Sequence, residues 1–105
     1  MIRAIVIAAL AIASTCASAE ITGAQLGALM RSPAPADLAR AEAYVEAVFD
    51  VTRGWSHCAP PGTRQAVVFV MVRSTFELAA DVVAKVPASA AVGAALVIAW
   101  PCTRT

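Results

Sequence analysis

The chain has 105 residues, a formal net charge of +1 at pH 7 and a hydrophobic fraction of 60%. This length suits one domain. Because the chain is almost neutral and has no run of basic residues, it lacks the positive surface that nucleic acids and anionic membranes bind, and we expect neither as a partner.

The N-terminal segment has the order of a secretory signal peptide. A positive charge precedes an uncharged apolar run at residues 4–13, and small residues then lead to Ala19. This order predicts a signal peptide over residues 1–19, cleaved before Glu20, and one domain over residues 20–105. We therefore expect an exported protein.

Two alternatives to a cleaved signal peptide are disfavoured. The apolar run is shorter than the roughly 20 residues that a membrane span needs. A lipoprotein anchor on Cys16 is disfavoured because a small residue, Ala13, stands three positions before it in place of a large aliphatic one. After cleavage the chain keeps seven basic and seven acidic residues, so its formal charge is zero. We expect no membrane attachment of the mature chain.

Cleavage also removes Cys16 and leaves two cysteines, Cys58 and Cys102, each close to a proline and a tryptophan. An even number of cysteines in an exported protein predicts a disulfide bond rather than a metal site or a catalytic thiol. Closing a loop of about 45 residues stabilises a chain by about 4 kcal/mol, which is comparable with much of the stability of a small domain.

The first helix is predicted over residues 21–32. Thr22 and Gln25 have the spacing of a capping box, in which each side chain satisfies a free backbone amide of the other residue. Pro33 ends the helix, because the residue before a proline is driven away from helical angles.

The second helix is predicted from Asp37, its N-cap, to about Arg53, with Gly54 as a left-handed stop. Apolar residues recur on one side at helical spacing, which indicates a helix packed on one face. The other side carries a row of charged residues that we interpret as a solvated face rather than a metal site, because no histidine joins it. This row is Glu42, Glu46, Asp50 and Arg53.

The third element contains the ambiguous stretch of the chain, residues 66–72. Its dense β-branched residues are compatible with a buried strand. However, no second run rich in such residues is available to pair with it, and a lone strand cannot satisfy its backbone hydrogen bonds. We predict a helix with Thr63 as N-cap that continues to about Ala79, with Arg73 and Glu77 as a charge pair.

Residues 81–86 are predicted as a connector or a single turn. Pro87 suits the first position of a last helix over residues 88–99, where its missing amide costs nothing. Trp100 and Pro101 end that helix. The predicted fold class is therefore all-α, a small disulfide-stapled bundle of about four helices after the signal peptide.

No arrangement of residues indicates catalysis. His57 is the single histidine and adjoins Cys58, but adjacent residues seldom present their reactive atoms to each other, and the cysteine is assigned to the disulfide. One histidine without a free thiolate does not make a zinc site. Phosphate-binding loops and nucleophile elbows are also missing. We expect no enzyme, no metal and no cofactor.

The apolar content leaves two interpretations open. Residues 67–72 and 92–99 are richer in apolar side chains than a chain of this size readily buries. Exposed apolar patches indicate a homodimer or a protein-binding face. An alanine-rich protein with a well-filled core explains the same composition equally well.

Three segments together resemble a known family. They are Ala-Tyr-Val-Glu-Ala-Val-Phe-Asp at 43–50, Cys-Ala-Pro-Pro-Gly-Thr-Arg-Gln at 58–65 and Ala-Leu-Val-Ile-Ala-Trp-Pro-Cys at 95–102. This combination is similar to the Rap/Tai immunity family, small periplasmic proteins that protect bacteria from peptidoglycan-amidase toxins delivered by type VI secretion. Met30 and Ala41 stand where relatives often have a second cysteine pair.

The resemblance implies a small helical fold, often dimeric, that inhibits an amidase by docking over its active site. It also implies that the bridge between Cys58 and Cys102 is the one that the family keeps. Because loops on rigid scaffolds carry recognition, we predict a partner-binding loop. Its candidate contact residues are Trp55, Ser56, His57, Pro60 and Pro61. The alternatives are a small helical stress chaperone, which the modest charge disfavours, and an orphan family member with no toxin partner.

Overall fold

The computed structural model describes residues 20–103. Its helices are α1 (Gly23–Arg31), α2 (Pro35–Thr52), α3 (Gln65–Leu78), α4 (Ala80–Val83) and α5 (Ala88–Ala99). No strand occurs within this range apart from two isolated bridges, so the predicted all-α fold is confirmed. Four helices are long, and α4 is a single turn in the predicted connector. The predicted signal peptide at residues 1–19 lies outside the described residues and stays a prediction.

The starts of the first two helices confirm one predicted cap and correct another. Thr22 and Gln25 form the predicted capping box, with hydrogen bonds of 3.1 and 2.8 Å. The second helix begins earlier than predicted, because Pro35 has its φ angle fixed in the helical range and suits a first helical position. Asp37 therefore lies inside the first turn and is not the N-cap. Its carboxylate accepts a hydrogen bond of 2.7 Å from the Ser32 hydroxyl instead.

The ambiguous stretch at residues 66–72 is helical, as predicted, and lies within α3. The predicted charge pair is also present, with 4.0 Å between Arg73 Nε and Glu77 Oε1. The predicted cap is wrong. Thr63 donates its hydroxyl hydrogen bond to the carbonyl oxygen of Pro60 at 2.6 Å, and no side chain caps the helix. The competing acceptor in the preceding turn explains the difference.

The helices enclose one apolar core. α2 contributes one side to it, while α3 and the alanine-rich α5 meet across it, so the amphipathic interpretation of α2 agrees with the structure. Met30 and Ala41, the positions where the resemblance implies a second cysteine pair in relatives, both lie inside this core. Its fully buried large side chains are Phe49, Leu26, Leu96, Val45, Val68, Val72 and Val92. In the described part of the chain, no helix has the length and apolar character that crossing a membrane requires.

The start of α1 is held against the chain that precedes α5. The Gly23 amide donates to the Val86 carbonyl oxygen at 2.8 Å, beside an isolated bridge between Thr22 and Pro87. A Cβ atom on Gly23 would lie 1.9 Å from the Val83 carbonyl oxygen, so only glycine allows this approach. The prediction that Pro87 is the first residue of the last helix is wrong, because Pro87 is the N-cap of α5.

Candidate functional site

The segment between α2 and α3 turns sharply twice and returns towards the core. Its two glycines, Gly54 and Gly62, have φ angles of +79° and +84°, which side-chain-bearing residues rarely adopt. Gly54 is the left-handed stop that the sequence predicts after α2. We call residues 53–62 the Trp55 loop, after Trp55, whose side chain is 88% exposed.

The five candidate contact residues do not share one environment. Trp55, Ser56, Pro60 and Pro61 lie on the surface. His57, by contrast, is 0% exposed. Its side chain supports the loop from inside and does not present a contact to a partner in this structure. That the loop binds a partner stays a prediction.

The buried imidazole of His57 is fully hydrogen-bonded. Its Nε2 atom lies 3.0 Å from the Phe49 carbonyl oxygen, and its Nδ1 atom lies 3.3 Å from the Ala59 amide nitrogen. The amide is a donor, so Nδ1 must accept. Nε2 must therefore carry the proton and donate to the carbonyl. These two bonds assign the neutral Nε2–H tautomer and connect the end of α2 to the middle of the loop.

The ring of Phe49 is the centre of a small aromatic cluster. The His57 ring stacks on it at a centroid distance of 4.8 Å, and the Trp100 ring meets it edge-on at 6.1 Å. The guanidinium carbon of Arg53 lies 5.1 Å from its centroid. Stacked and edge-on aromatic pairs and a cation over a ring are all favourable arrangements. The cluster therefore joins α2, the Trp55 loop and the residue that ends α5.

Further bonds fix the second half of the loop. The Pro60 carbonyl oxygen accepts from Arg53 Nη2 at 2.9 Å and from the Thr63 hydroxyl at 2.6 Å. The Cys58 amide donates to the Trp100 carbonyl oxygen at 2.9 Å. The predicted disulfide between Cys58 and Cys102 is confirmed, with 4.9 Å between their Cα atoms. The loop is thus tied to the bundle on both sides of Trp55.

The supporting roles of two residues, Arg53 and Trp100, were not predicted. The sequence analysis placed Arg53 on a solvated face, whereas its guanidinium reaches back over Phe49 and to Pro60. The spacing of four residues between Phe49 and Arg53 was the available signal, since such residues are neighbours on a helix. The contact of Trp100 with the cluster crosses 51 positions of sequence, and no local pattern indicates it.

Two grooves flank α2. One, of about 360 Å³, lies between α2 and α3 and is described below. The other is an apolar hollow of about 300 Å³ that includes Tyr44 and Ser89. Burial raises the pKa of the Tyr44 hydroxyl, and its hydrogen bond with Ser89 acts in the opposite direction. Ser89 also donates to the carboxylate of Glu20, at the start of the described chain.

No group of three or more histidine, cysteine, aspartate or glutamate residues in the described range is arranged to hold a metal ion. The arrangement that the structure does contain is an exposed indole on a fixed loop. It can take part in recognition through shape and apolar contact.

A family model described as Rap1a immunity proteins matches residues 22–102. The chain belongs to the Rap1a immunity family. The match begins at the capping box of α1 and ends at Cys102, so it includes the Trp55 loop and both cysteines of the disulfide. The resemblance seen in the sequence is thereby confirmed. No curated protein matches the chain significantly.

Membership in the Rap1a immunity family gives the protein a coarse role. Immunity proteins act on toxins by binding them, so the partner that the family implies is a toxin protein. Such proteins are generally inhibitors without enzymatic activity, and the expectation that this member is not an enzyme agrees with its family.

Proposed function

We propose that the protein is a periplasmic immunity protein that inhibits a peptidoglycan amidase delivered by type VI secretion. In this proposal the Trp55 loop docks over the active-site cleft of the amidase. Family membership supports a toxin partner. The predicted signal peptide supports the periplasm, which is the compartment where an amidase meets peptidoglycan.

The observation that carries the docking proposal is the contrast between Trp55 and its surroundings. The indole is 88% exposed, yet the residues around it are held by the His57 bonds, by Arg53 and by the disulfide. Tryptophan is among the residues that contribute most to binding energy at interfaces. A loop that is already fixed loses little conformational entropy when it binds, so its contacts contribute more to the affinity.

We also propose that the protein forms a homodimer through α3 and α5. Apolar side chains of both helices remain at the surface of the single chain. Their exposure supports self-association rather than the alternative that they only fill the core. They are Val67, Met71, Val97 and Ile98. Analytical ultracentrifugation tests this part separately. A monomer at micromolar concentration would overturn the dimer without affecting the proposed inhibition.

The test of inhibition uses the exported protein and the amidase encoded beside it. We expect a stable complex and loss of peptidoglycan hydrolysis. Trp55→Ala should weaken binding by about 30-fold or more, as truncation of a central aromatic contact does. Leu78→Ala is the matched control, because Leu78 is 89% exposed and lies outside the loop.

The outcomes separate the parts of the proposal. Failure of the unaltered protein to bind the amidase or to inhibit it would overturn the assignment of an amidase target. Inhibition that survives Trp55→Ala unchanged would overturn docking through the Trp55 loop while leaving the amidase target in place.

A further inference from the structure

The groove between α2 and α3 has an apolar floor and charged edges. Val45 and Phe69 form part of its floor and are only 1% and 9% exposed, so the depression reaches the core. Glu42 and Glu46 stand on the α2 edge, and Arg73 stands on the α3 edge. We call this depression the α2–α3 groove. Its full lining is Leu38, Glu42, Val45, Glu46, Gln65, Ala66, Phe69, Val70 and Arg73.

The carboxylates on the α2 edge occupy positions that destabilise their own helix. Glu42 and Glu46 are four residues apart, and Asp50 continues the row, so like charges are neighbours on one face. The row also approaches the C-terminus of α2, where the helix dipole disfavours negative charge and no basic residue occupies the last turn. Within residues 20–103 the structure contains one ion pair, Arg73–Glu77, and none that neutralises this edge.

The opposite edge shows what kind of side chain the floor accommodates. The guanidinium carbon of Arg73 lies 5.9 Å from the Phe69 ring centroid, so a cationic side chain already lies along this apolar surface. Arginine and lysine cover apolar surface with their aliphatic stems and keep their charged ends at polar groups. A second such side chain on the floor would bring its charge to Glu42 and Glu46.

We infer that the α2–α3 groove binds an arginine or lysine side chain from a surface segment of the toxin. The aliphatic stem covers the floor at Leu38 and Val45, and the charged end forms hydrogen bonds with Glu42 and Glu46. A carboxylate–guanidinium contact of this kind is stronger than a neutral hydrogen bond. A small cation alone does not fit as well, because it leaves the apolar floor uncovered. The inference rests on the proposed toxin-binding function and adds a second contact to it.

One partner can reach both contacts. Glu46 lies six residues before the end of α2 at Thr52, which corresponds to roughly 9 Å at helical rise, and Trp55 follows that end by three residues. A standard interface covers about 800 Å² on each partner, which is wide enough to include both. The groove would then fix the orientation of the toxin while the Trp55 loop enters its cleft.

The test needs no toxin. The isotope-labelled exported protein is titrated with the acetylated, amidated peptide Leu-Arg-Ala-Leu, and with the same peptide carrying neutral citrulline in place of arginine. We expect saturable NMR shifts at Val45 and Phe69 with a dissociation constant in the millimolar range, detectable by about 10 mM peptide. Binding of the citrulline peptide should be weaker by about fivefold or more, because the charge-assisted bond is lost.

Two protein variants complete the design. Glu42→Gln combined with Glu46→Gln should abolish the preference for arginine over citrulline. Asp50→Asn, which removes the same kind of charge from the same helix but does not line the groove, should preserve it. All three positions are exposed, so both variants should fold.

Three results would overturn the inference. The first is NMR shifts confined to the proposed dimer faces of α3 and α5. The others are equal binding of the two peptides and no shift at the groove by about 10 mM peptide. None of these outcomes bears on whether the Trp55 loop inhibits an amidase, since the amidase is not in the experiment. Failure of amidase inhibition likewise leaves the peptide result unchanged.

Discussion

His57 donates a hydrogen bond from Nε2 to the Phe49 carbonyl oxygen at 3.0 Å, and the two rings stack with their centroids 4.8 Å apart. The same carbonyl oxygen accepts the last helical bond from the Arg53 amide at 3.1 Å. The final turn of α2 and the Trp55 loop therefore share one acceptor and one aromatic stack. Movement of the loop away from the bundle would break both the hydrogen bond and the aromatic stack, so these two contacts hold the loop in place.

We predict that His57→Ala lowers the free energy of unfolding by about 2–4 kcal/mol, because it removes a buried ring and leaves the Ala59 amide without its acceptor. Ser56→Ala is the matched control, and this exposed neighbour should change the free energy by less than about 0.5 kcal/mol. Urea unfolding measures both. Equal stability of the two variants would contradict the role assigned to the imidazole.

A spectroscopic prediction follows from the same two bonds. Ring-nitrogen NMR of the folded protein should show the proton of neutral His57 on Nε2, because Nδ1 accepts from the Ala59 amide. The unfolded protein in urea is the control, since it lacks that bond. A proton found on Nδ1 in the folded state would contradict the hydrogen-bond assignment.

The disulfide should contribute a large part of the stability. Cys58→Ser combined with Cys102→Ser should lower the free energy of unfolding by about 4 kcal/mol, from the chain entropy regained by a loop of about 45 residues. Both cysteines are exposed, so serine leaves no buried polar group. A reductant should destabilise the unaltered protein and leave the double variant unchanged. Free thiols at both positions, detected by mass spectrometry in protein folded under oxidising conditions, would contradict the bridge.

The features that could be predicted from sequence depend on neighbouring residues or on the number of residues of one type. The capping box needs only Thr22 and Gln25, whose side chains bond each other's amides within one turn. The disulfide was predicted from the two cysteines that remain after the predicted signal peptide is set aside. The helical state of α3 follows from the lack of any partner strand for its backbone.

The features that could not be predicted depend on which of several available groups a side chain forms a hydrogen bond with. Asp37 and Thr63 are good N-cap residues, but each bonds a neighbour, the Ser32 hydroxyl and the Pro60 carbonyl oxygen respectively. The inward direction of His57 depends on the left-handed turn at Gly54 and on the distant end of α5. Sequence spacing identified the loop, but it did not distinguish the residues that support it from those that lie on its surface.

The two tryptophans should respond differently to substitution. Trp55→Ala should leave the free energy of unfolding within about 0.5 kcal/mol, because its exposed indole makes little contribution to the fold. Trp100→Ala should lower it by about 2 kcal/mol, because Trp100 is half-buried against Phe49. Fluorescence provides a check on the same proteins. Emission from Trp55, observed alone in the second variant, should match that of a hydrated indole, and a blue-shifted, quencher-resistant signal would contradict its exposure.

Two glycines should respond to the same substitution in opposite directions. Gly23→Ala should lower the free energy of unfolding by about 1–3 kcal/mol, because the new Cβ forces the Val83 carbonyl away and strains the Gly23–Val86 bond. Gly93 lies within α5 with no atom within 4 Å of an added Cβ. Gly93→Ala should therefore raise the free energy by about 0.5–1 kcal/mol, as alanine does in a helix interior.

Thermal unfolding measures this pair directly, since 1 kcal/mol corresponds to roughly 4–8 °C in a domain of this size. The midpoint of Gly23→Ala should fall and that of Gly93→Ala should rise. The Gly93 variant also controls for the general effect of alanine on the unfolded chain, which is the same at both positions. A rise in both midpoints would mean that α1 can move away from Val83 at little cost, and would contradict the close contact described here.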